Sequence, residues 1–253
     1  ADPAAQEWRS WDVARRIDHA LVNGITAFIE ADVEAARTGA DRAVDVIEGV
    51  DHLAVVDKPA GMNFHSEEGA GLVVLTKEML GLDELYPVHR LDKMTSGLVL
   101  FAKTKEAAQR FGTIFEERMV EKYYLAVSLR KPKKKQGWVK GDMKNARRGD
   151  WMLLNTMKNL AVTQFHSKAM REGERAFLVK PHTGKTHQIR VALKSLGSPI
   201  AGDQRYARSE EAKKEDRGYL HAYALRFVFD GEAYAFVSAP KEGERFLSEA
   251  FRA

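Results

Sequence analysis

Six polar residues stand within eight positions: His89, Arg90, Asp92, Lys93, Thr95 and Ser96. They precede an apolar run, Leu98 to Ala102, with the length and composition of a buried strand. A charged loop at the mouth of such a strand is where reactive groups tend to sit. Asp92 is the one carboxylate there, and its cationic neighbours favour its ionised form. An ionised, immobilised carboxylate can act as a nucleophile or a base. Taken alone, the loop is better read as holding Asp92 in a structural ion pair or a turn, since structural pairs outnumber catalytic ones.

The surrounding chain predicts the elements that hold this loop. Leu53–Val56 is a short β-rich run, broken by Pro59 and Gly61, and Leu72–Leu80 has helical character. Lys105–Met119 is amphipathic, with Ala108, Phe111, Ile114 and Phe115 on one face. Strands are expected at Tyr123–Leu129, Leu160–His166, Ala176–Pro181, Leu220–Phe227 and Ala233–Val237. The last two flank the Asp230-Gly231 turn. Thr183–Leu193 starts polar and then shows helical apolar spacing, a loop entering a helix, and Phe246–Phe251 suggests a terminal helix. Many short strands with intercalated helices define a mixed α/β domain over residues 46–253. Before it, Val13, Ile17, Leu21, Ile25, Ile29 and Val33 recur every fourth residue. Residues 1–45 are therefore read as a helical extension, either a structural brace or a docking element. A short β-rich run follows at Val44–Ile47.

Composition narrows the chemistry. The chain has 253 residues and no cysteine, which excludes disulfides, thiolate metal sites, iron–sulfur clusters and cysteine nucleophiles. No apolar run reaches the length of a membrane span and no secretory pattern is present, so a cytoplasmic location is expected. The net charge of +4 is small, so any nucleic-acid contact must come from local clusters. One such cluster is Arg130-Lys131-Pro132-Lys133-Lys134-Lys135, followed by Lys140, Lys144, Arg147 and Arg148. It reads either as a solvated loop or as a phosphate-contacting edge. Trp138 and Trp151 interleave with these cations, as stacking residues or as core. Thr183-Gly184-Lys185-Thr186 lacks the first glycine of a phosphate-binding loop, no Gly-x-Ser-x-Gly elbow occurs, and no histidine pair has metal-ligand spacing.

Taken together, five stretches resemble the RluA-type pseudouridine synthases. His89-Arg90-Leu91-Asp92 with Thr95-Ser96-Gly97-Leu98 is similar to that family's His-Arg-Leu-Asp-x-x-Thr-Ser-Gly-Leu motif. Lys122-Tyr123-Tyr124-Leu125-Ala126 resembles Lys-x-Tyr-x-Ala, and Thr183–Arg190 continuing through Gly197–Tyr206 resembles the third motif. Leu220-His221-Ala222 and Val56–Gly61 resemble its Leu-His-Ala and Lys-Pro-x-Gly elements. The order is that of the family, over about residues 50–240.

The resemblance implies an α+β fold: a bent, mostly antiparallel mixed sheet with flanking helices and a central catalytic cleft. It implies an isomerase that converts uridine to pseudouridine in structured RNA, ribosomal or transfer, presented in a stem-loop or bulge. No cofactor and no metal are implied. Asp92 takes the place of the catalytic aspartate, Tyr124 that of the active-site tyrosine, and Arg190 that of the arginine paired with the aspartate. Arg90, Lys122 and His89 are expected to contact substrate, joined by Lys133, Lys134 and Lys135 on the basic edge. The chain is expected to act as a monomer. Lys185 replaces the common arginine of Thr-Gly-Arg, Ala192 stands where a histidine is frequent, and no S4-type RNA-binding pattern precedes the domain. These departures bear on the substrate and leave the chemistry in place, while the stretch Lys131-Pro132-Lys133-Lys134-Lys135-Gln136-Gly137 and Gly141-Asp142-Met143 suggest a distinct subgroup. The competing expectation is a non-catalytic RNA-binding or RNA-folding factor on the same scaffold.

Overall fold

A computed structural model of the chain describes residues 52–66 and 71–252. The helical reading of residues 1–45 and the run Val44–Ile47 lie outside the described residues. The strands are β1 (Leu53–Lys58), β2 (Tyr86–Pro87), β3 (Ser96–Ala102), β4 (Glu121–Ser128), β5 (Gln136–Asn145), β6 (Trp151–Leu154), β7 (Leu160–Ala169), β8 (Arg175–Pro181), β9 (Leu220–Phe229) and β10 (Glu232–Val237). The helices are α1 (Leu72–Met79), α2 (Lys105–Glu116), α3 (Gln188–Ser195), α4 (Ser209–Ala212) and α5 (Glu249–Arg252).

Among the described residues, all the strands join one sheet in the order β1-β3-β9-β4-β8-β7-β5-β6, with β2 on β3 and β10 on β9. Every pairing among these described strands is antiparallel except β3 with β9. That parallel contact is short, Ser96 to His221 and Gly97 to Ala222. Beyond it β9 pairs with β10 instead, from Ala224 onward. The α+β architecture inferred from the sequence is the one observed.

β3 reads as a continuous apolar run because both its faces are covered. Leu98, Leu100 and Ala102 pack with Phe111 of α2 and with Phe227 and Phe229. Val99 and Phe101 pack with Phe64, Leu72 and Leu91. A third core lies between the sheet and α3, joining Phe165, Phe177 and Val179 to Ile189 and Leu193. Gly97 permits the parallel contact. Its φ is +105°, and a Cβ there would stand 2.3 Å from the carbonyl oxygen of Ala222. Only glycine tolerates both conditions.

Three expectations are corrected. α2 ends at Glu116 rather than Met119, because Arg118 turns left-handed at φ 60° and Met119 N closes back on Ile114 O. The terminal helix shrinks to Glu249–Arg252. Residues 136–145 and 151–154 are strands that the pattern did not reveal. β5 has one buried apolar side chain, Val139, and is interrupted by Gly137 and Gly141. Gly141 is required where it stands, since a Cβ would lie 2.2 Å from Leu154 O on β6.

Candidate active site

The loop before β3 is strapped from below. Lys58, fully buried at the end of β1, donates to the carbonyls of Pro59, Met62 and Lys93 at 3.0, 2.9 and 3.2 Å. Burial and the Arg217 charge pull its pKa down to about 8. Gly61 N also reaches Lys93 O, and Thr95 N closes a turn on Asp92 O. Ser96 accepts from Arg217 Nη2 at 2.6 Å and pairs with His221 Nδ1 at 2.8 Å. Asp92 therefore projects from a tied backbone, with its side chain still about a third exposed at 32%.

Arg190 comes from the first turn of α3. Its Nη1 donates to Asp92 Oδ2 at 2.8 Å. Its Nε and Nη2 grip the two oxygens of Asp203, each at 2.8 Å. Asp203 is fully buried and also accepts from the backbone N–H groups of Arg205 and Tyr206. The Arg190 guanidinium lies 5.0 Å from the Tyr206 ring centroid. Burial works against the Arg190 charge, but hydrogen bonds and charge from Asp203 and then Asp92 outweigh it and raise its pKa.

His187 caps α3 in the left-handed region, φ 55°. Its Nδ1 pairs with Tyr206 Oη at 2.8 Å, and its Nε2 stands 3.8 Å from Asp92 Oδ2. Burial and the Arg190 charge lower its pKa. Gln188 serves the backbone: it accepts from Thr183 and Lys185 and donates to Val162 O and Thr163.

Tyr124 reaches the same place from β4. The β4–β9 register shifts between Tyr123 and Tyr124. Tyr123 is buried with Leu178 and Tyr223, whereas Tyr124 lines the cleft beside Asp92. Burial, then the Asp92 charge, raises the Tyr124 pKa, so its phenol is neutral at physiological pH.

The cleft has a volume of about 810 Å³. Asp92, Tyr124 and Arg190 line it together, with Arg90, Lys122 and His89. Lys122 is desolvated, which lowers its pKa, and no carboxylate among the described residues lies within ion-pair distance of it. Its Nζ sits 5.8 Å from the Phe115 ring centroid. Arg90 is exposed. His89 stacks on Phe115 and accepts from Leu100 N at 2.9 Å, so one ring nitrogen is committed to the strand. Lys133, Lys134 and Lys135 do not line the cleft. Lys133 meets the far end of α3, where its N–H reaches Leu196 O, and Lys135 O accepts from Ser167 of β7.

The RNA pseudouridylate synthase model matches residues 52–195, spanning β1 through α3. The chain belongs to this family. Its members are isomerases acting on uridine in RNA. An uncharacterized RNA pseudouridine synthase of Haemophilus influenzae is 43% identical over 205 residues, covering 81% of this chain and 91% of that one. Ribosomal large subunit pseudouridine synthase C of Vibrio vulnificus is 35% identical over 70% of this chain, which spans 59% of that relative's length. The structure of human RNA pseudouridylate synthase domain containing 1 superposes with a TM-score of 0.63 at 26% identity, covering 74% of this chain and 79% of that one.

Sequence reading did not single out Asp203, Tyr206 or the approach of His187 to Asp92. Asp203 and Tyr206 fall within a quoted motif, but nothing in their spacing announces that they hold an arginine. Among the described residues no group of three or more acidic, histidine or cysteine side chains is placed to hold a metal, and no helix is long and apolar enough to cross a membrane.

Proposed function

We propose that this chain converts a specific uridine of a structured RNA to pseudouridine, with Asp92 as the catalytic carboxylate. The observation that carries this reading is the convergence of Asp92, Arg190 and Tyr124 on one cleft from three distant segments. In the reaction the N1–C1′ bond breaks, the uracil turns, C5 bonds to C1′, and the C5 proton leaves while N1 takes one up. Asp92 can assist by attacking C1′ or the base, or by taking the C2′ proton, and every role needs it ionised and held still. Arg190 supplies a charge-assisted hydrogen bond whose direction is set by Asp203. Tyr124, a neutral phenol, offers a face on which the uracil stacks.

The target nucleotide must leave its helix to reach the cleft, at a cost of a few kcal/mol that loops and bulges reduce. Lys122, a desolvated cation with no acidic partner among the described residues, suits a substrate phosphate or a uracil oxygen. Exposed Arg90 suits the displaced neighbours of the target, and His89 has one nitrogen left for the cleft. Lys133, Lys134 and Lys135 form an outlying basic edge for the RNA backbone. A ribosomal RNA is the favoured class, because a relative at 35% identity carries that substrate in its name.

Release of tritium from RNA labelled at uridine C5 tests the reading. Release by the wild-type chain and none by Asp92→Asn is expected. Equal release from both would refute the assignment of Asp92.

A further inference from the structure

Trp138 is an aromatic side chain that the chemistry above does not use and the core does not need. It lies on β5, where its strand neighbour Val139 faces the core at 7% exposure and Trp138 faces the other way at 51%. Its surroundings are polar. Gln164 is its cross-strand partner, and Gln136 and Lys140 flank it on the same face of β5. Trp138 belongs to none of the buried apolar clusters.

Two contacts give this indole an orientation and a direction. Its ring lies 4.9 Å from the His182 ring, tilted by 38°. His182 is held by Gln164 at 3.2 Å and is itself part of the cleft wall, next to Thr183 and Gly184. The pair thus forms a step leading from the cleft to the open sheet face. Lys140 places its Nζ 5.2 Å from the Trp138 ring centroid, a cation beside the platform. Lys185, on the same wall, is tied to Asn159 by its Nζ at 2.8 Å.

We propose that Trp138 is a stacking platform for an unpaired nucleobase of the substrate that flanks the target uridine, with Lys140 beside its phosphate. An exposed aromatic face next to cations fits a splayed, single-stranded nucleotide and takes any base, because every base has a π-face. A paired helix keeps its bases stacked on one another and has none to offer. The proposal rests on the RNA reading above and extends the site beyond the reacting nucleotide.

The test uses the full chain and two probes: a fluorescein-labelled RNA hairpin with a uridine-rich single-stranded loop, and a fully paired RNA duplex of matched length. Trp138→Ala and Trp138→Gln are expected to weaken hairpin binding about tenfold, and Trp138→Phe by less than about threefold. Duplex binding should stay at the wild-type level in all three. The slope of log affinity against log salt should also stay unchanged, since stacking releases no counterions, whereas Lys140→Ala should make it shallower. Wild-type hairpin affinity in Trp138→Ala and Trp138→Gln, or an equal loss on hairpin and duplex, would overturn the platform. Tritium release by the wild-type chain is measured in parallel. Its absence would count against the isomerase reading, while the hairpin-to-duplex contrast separately decides the platform.

Discussion

Arg190 and Asp203 form a two-point clamp: Nε and Nη2 of the arginine each meet one oxygen of a fully buried carboxylate at 2.8 Å. The remaining nitrogen, Nη1, is thereby aimed at Asp92. The cleft carboxylate is oriented by a cation that is itself oriented by a second acid. This arrangement matters because a lone buried guanidinium would carry a large desolvation cost, which Asp203 offsets.

Asp203→Asn should therefore harm both stability and turnover while leaving Asp92 in place. Loss of a partner in a buried pair costs about 3–5 kcal/mol. Misplacement of Arg190 should lower kcat roughly 100-fold. Urea denaturation and tritium release measure the two effects. Wild-type turnover in the variant would show that the clamp is dispensable.

Tyr124 separates the role of its ring from that of its hydroxyl. With its pKa raised by burial and by Asp92, the ionised phenolate is scarce at neutral pH. Tyr124→Phe should bind substrate RNA within about threefold of wild type, and Tyr124→Ala should bind about tenfold more weakly. Equal weakening in both variants would assign the binding role to the hydroxyl instead of the ring.

Acid should destabilise the fold through two desolvated imidazoles. Burial, reinforced by the Lys122 charge, pushes His89 down to about 3, and burial takes His221 to about 4, from an ordinary 6.5. Between those values and 6.5 the unfolded chain binds protons that the folded chain refuses, so stability falls as pH drops from about 6.5 toward 4. His89→Gln keeps an acceptor for Leu100 N and removes the titration. His221→Gln does the same for its own position. Each should flatten the dependence of the urea midpoint on pH by about one proton, and a slope identical to wild type in both would refute the account.

The basic loop is tested by salt. Lys133, Lys134 and Lys135 lie outside the cleft, with Lys133 at the far end of α3. If they touch phosphates, replacing all three by glutamate should weaken RNA binding and make its salt dependence shallower, by about 0.7–0.9 for each phosphate no longer neutralised. A slope equal to wild type would place this loop off the RNA path.

Local chemistry was legible in the residues themselves. β3 announced itself because both its faces are buried, and the polar loop before it sat where a strand mouth must be. The same logic failed for β5, which turns one modest apolar stripe inward and lays Trp138, Lys140 and Lys144 outside, so its pattern matched a charged loop. For Asp92 the residues alone left a structural ion pair open, and motif order supplied its partners by resemblance.

Tertiary structure decided what no periodicity encodes. Arg190 stands 98 residues from Asp92, and Asp203 a further 13 along the chain. They meet because β3 lies parallel to β9 across a contact only a glycine permits, which sets the loop at Asp92 where the first turn of α3 can reach it. Side-chain identity and local pattern travel with the chain. Which buried acid holds which arginine depends on strand neighbours far apart in sequence, and only packing chooses those.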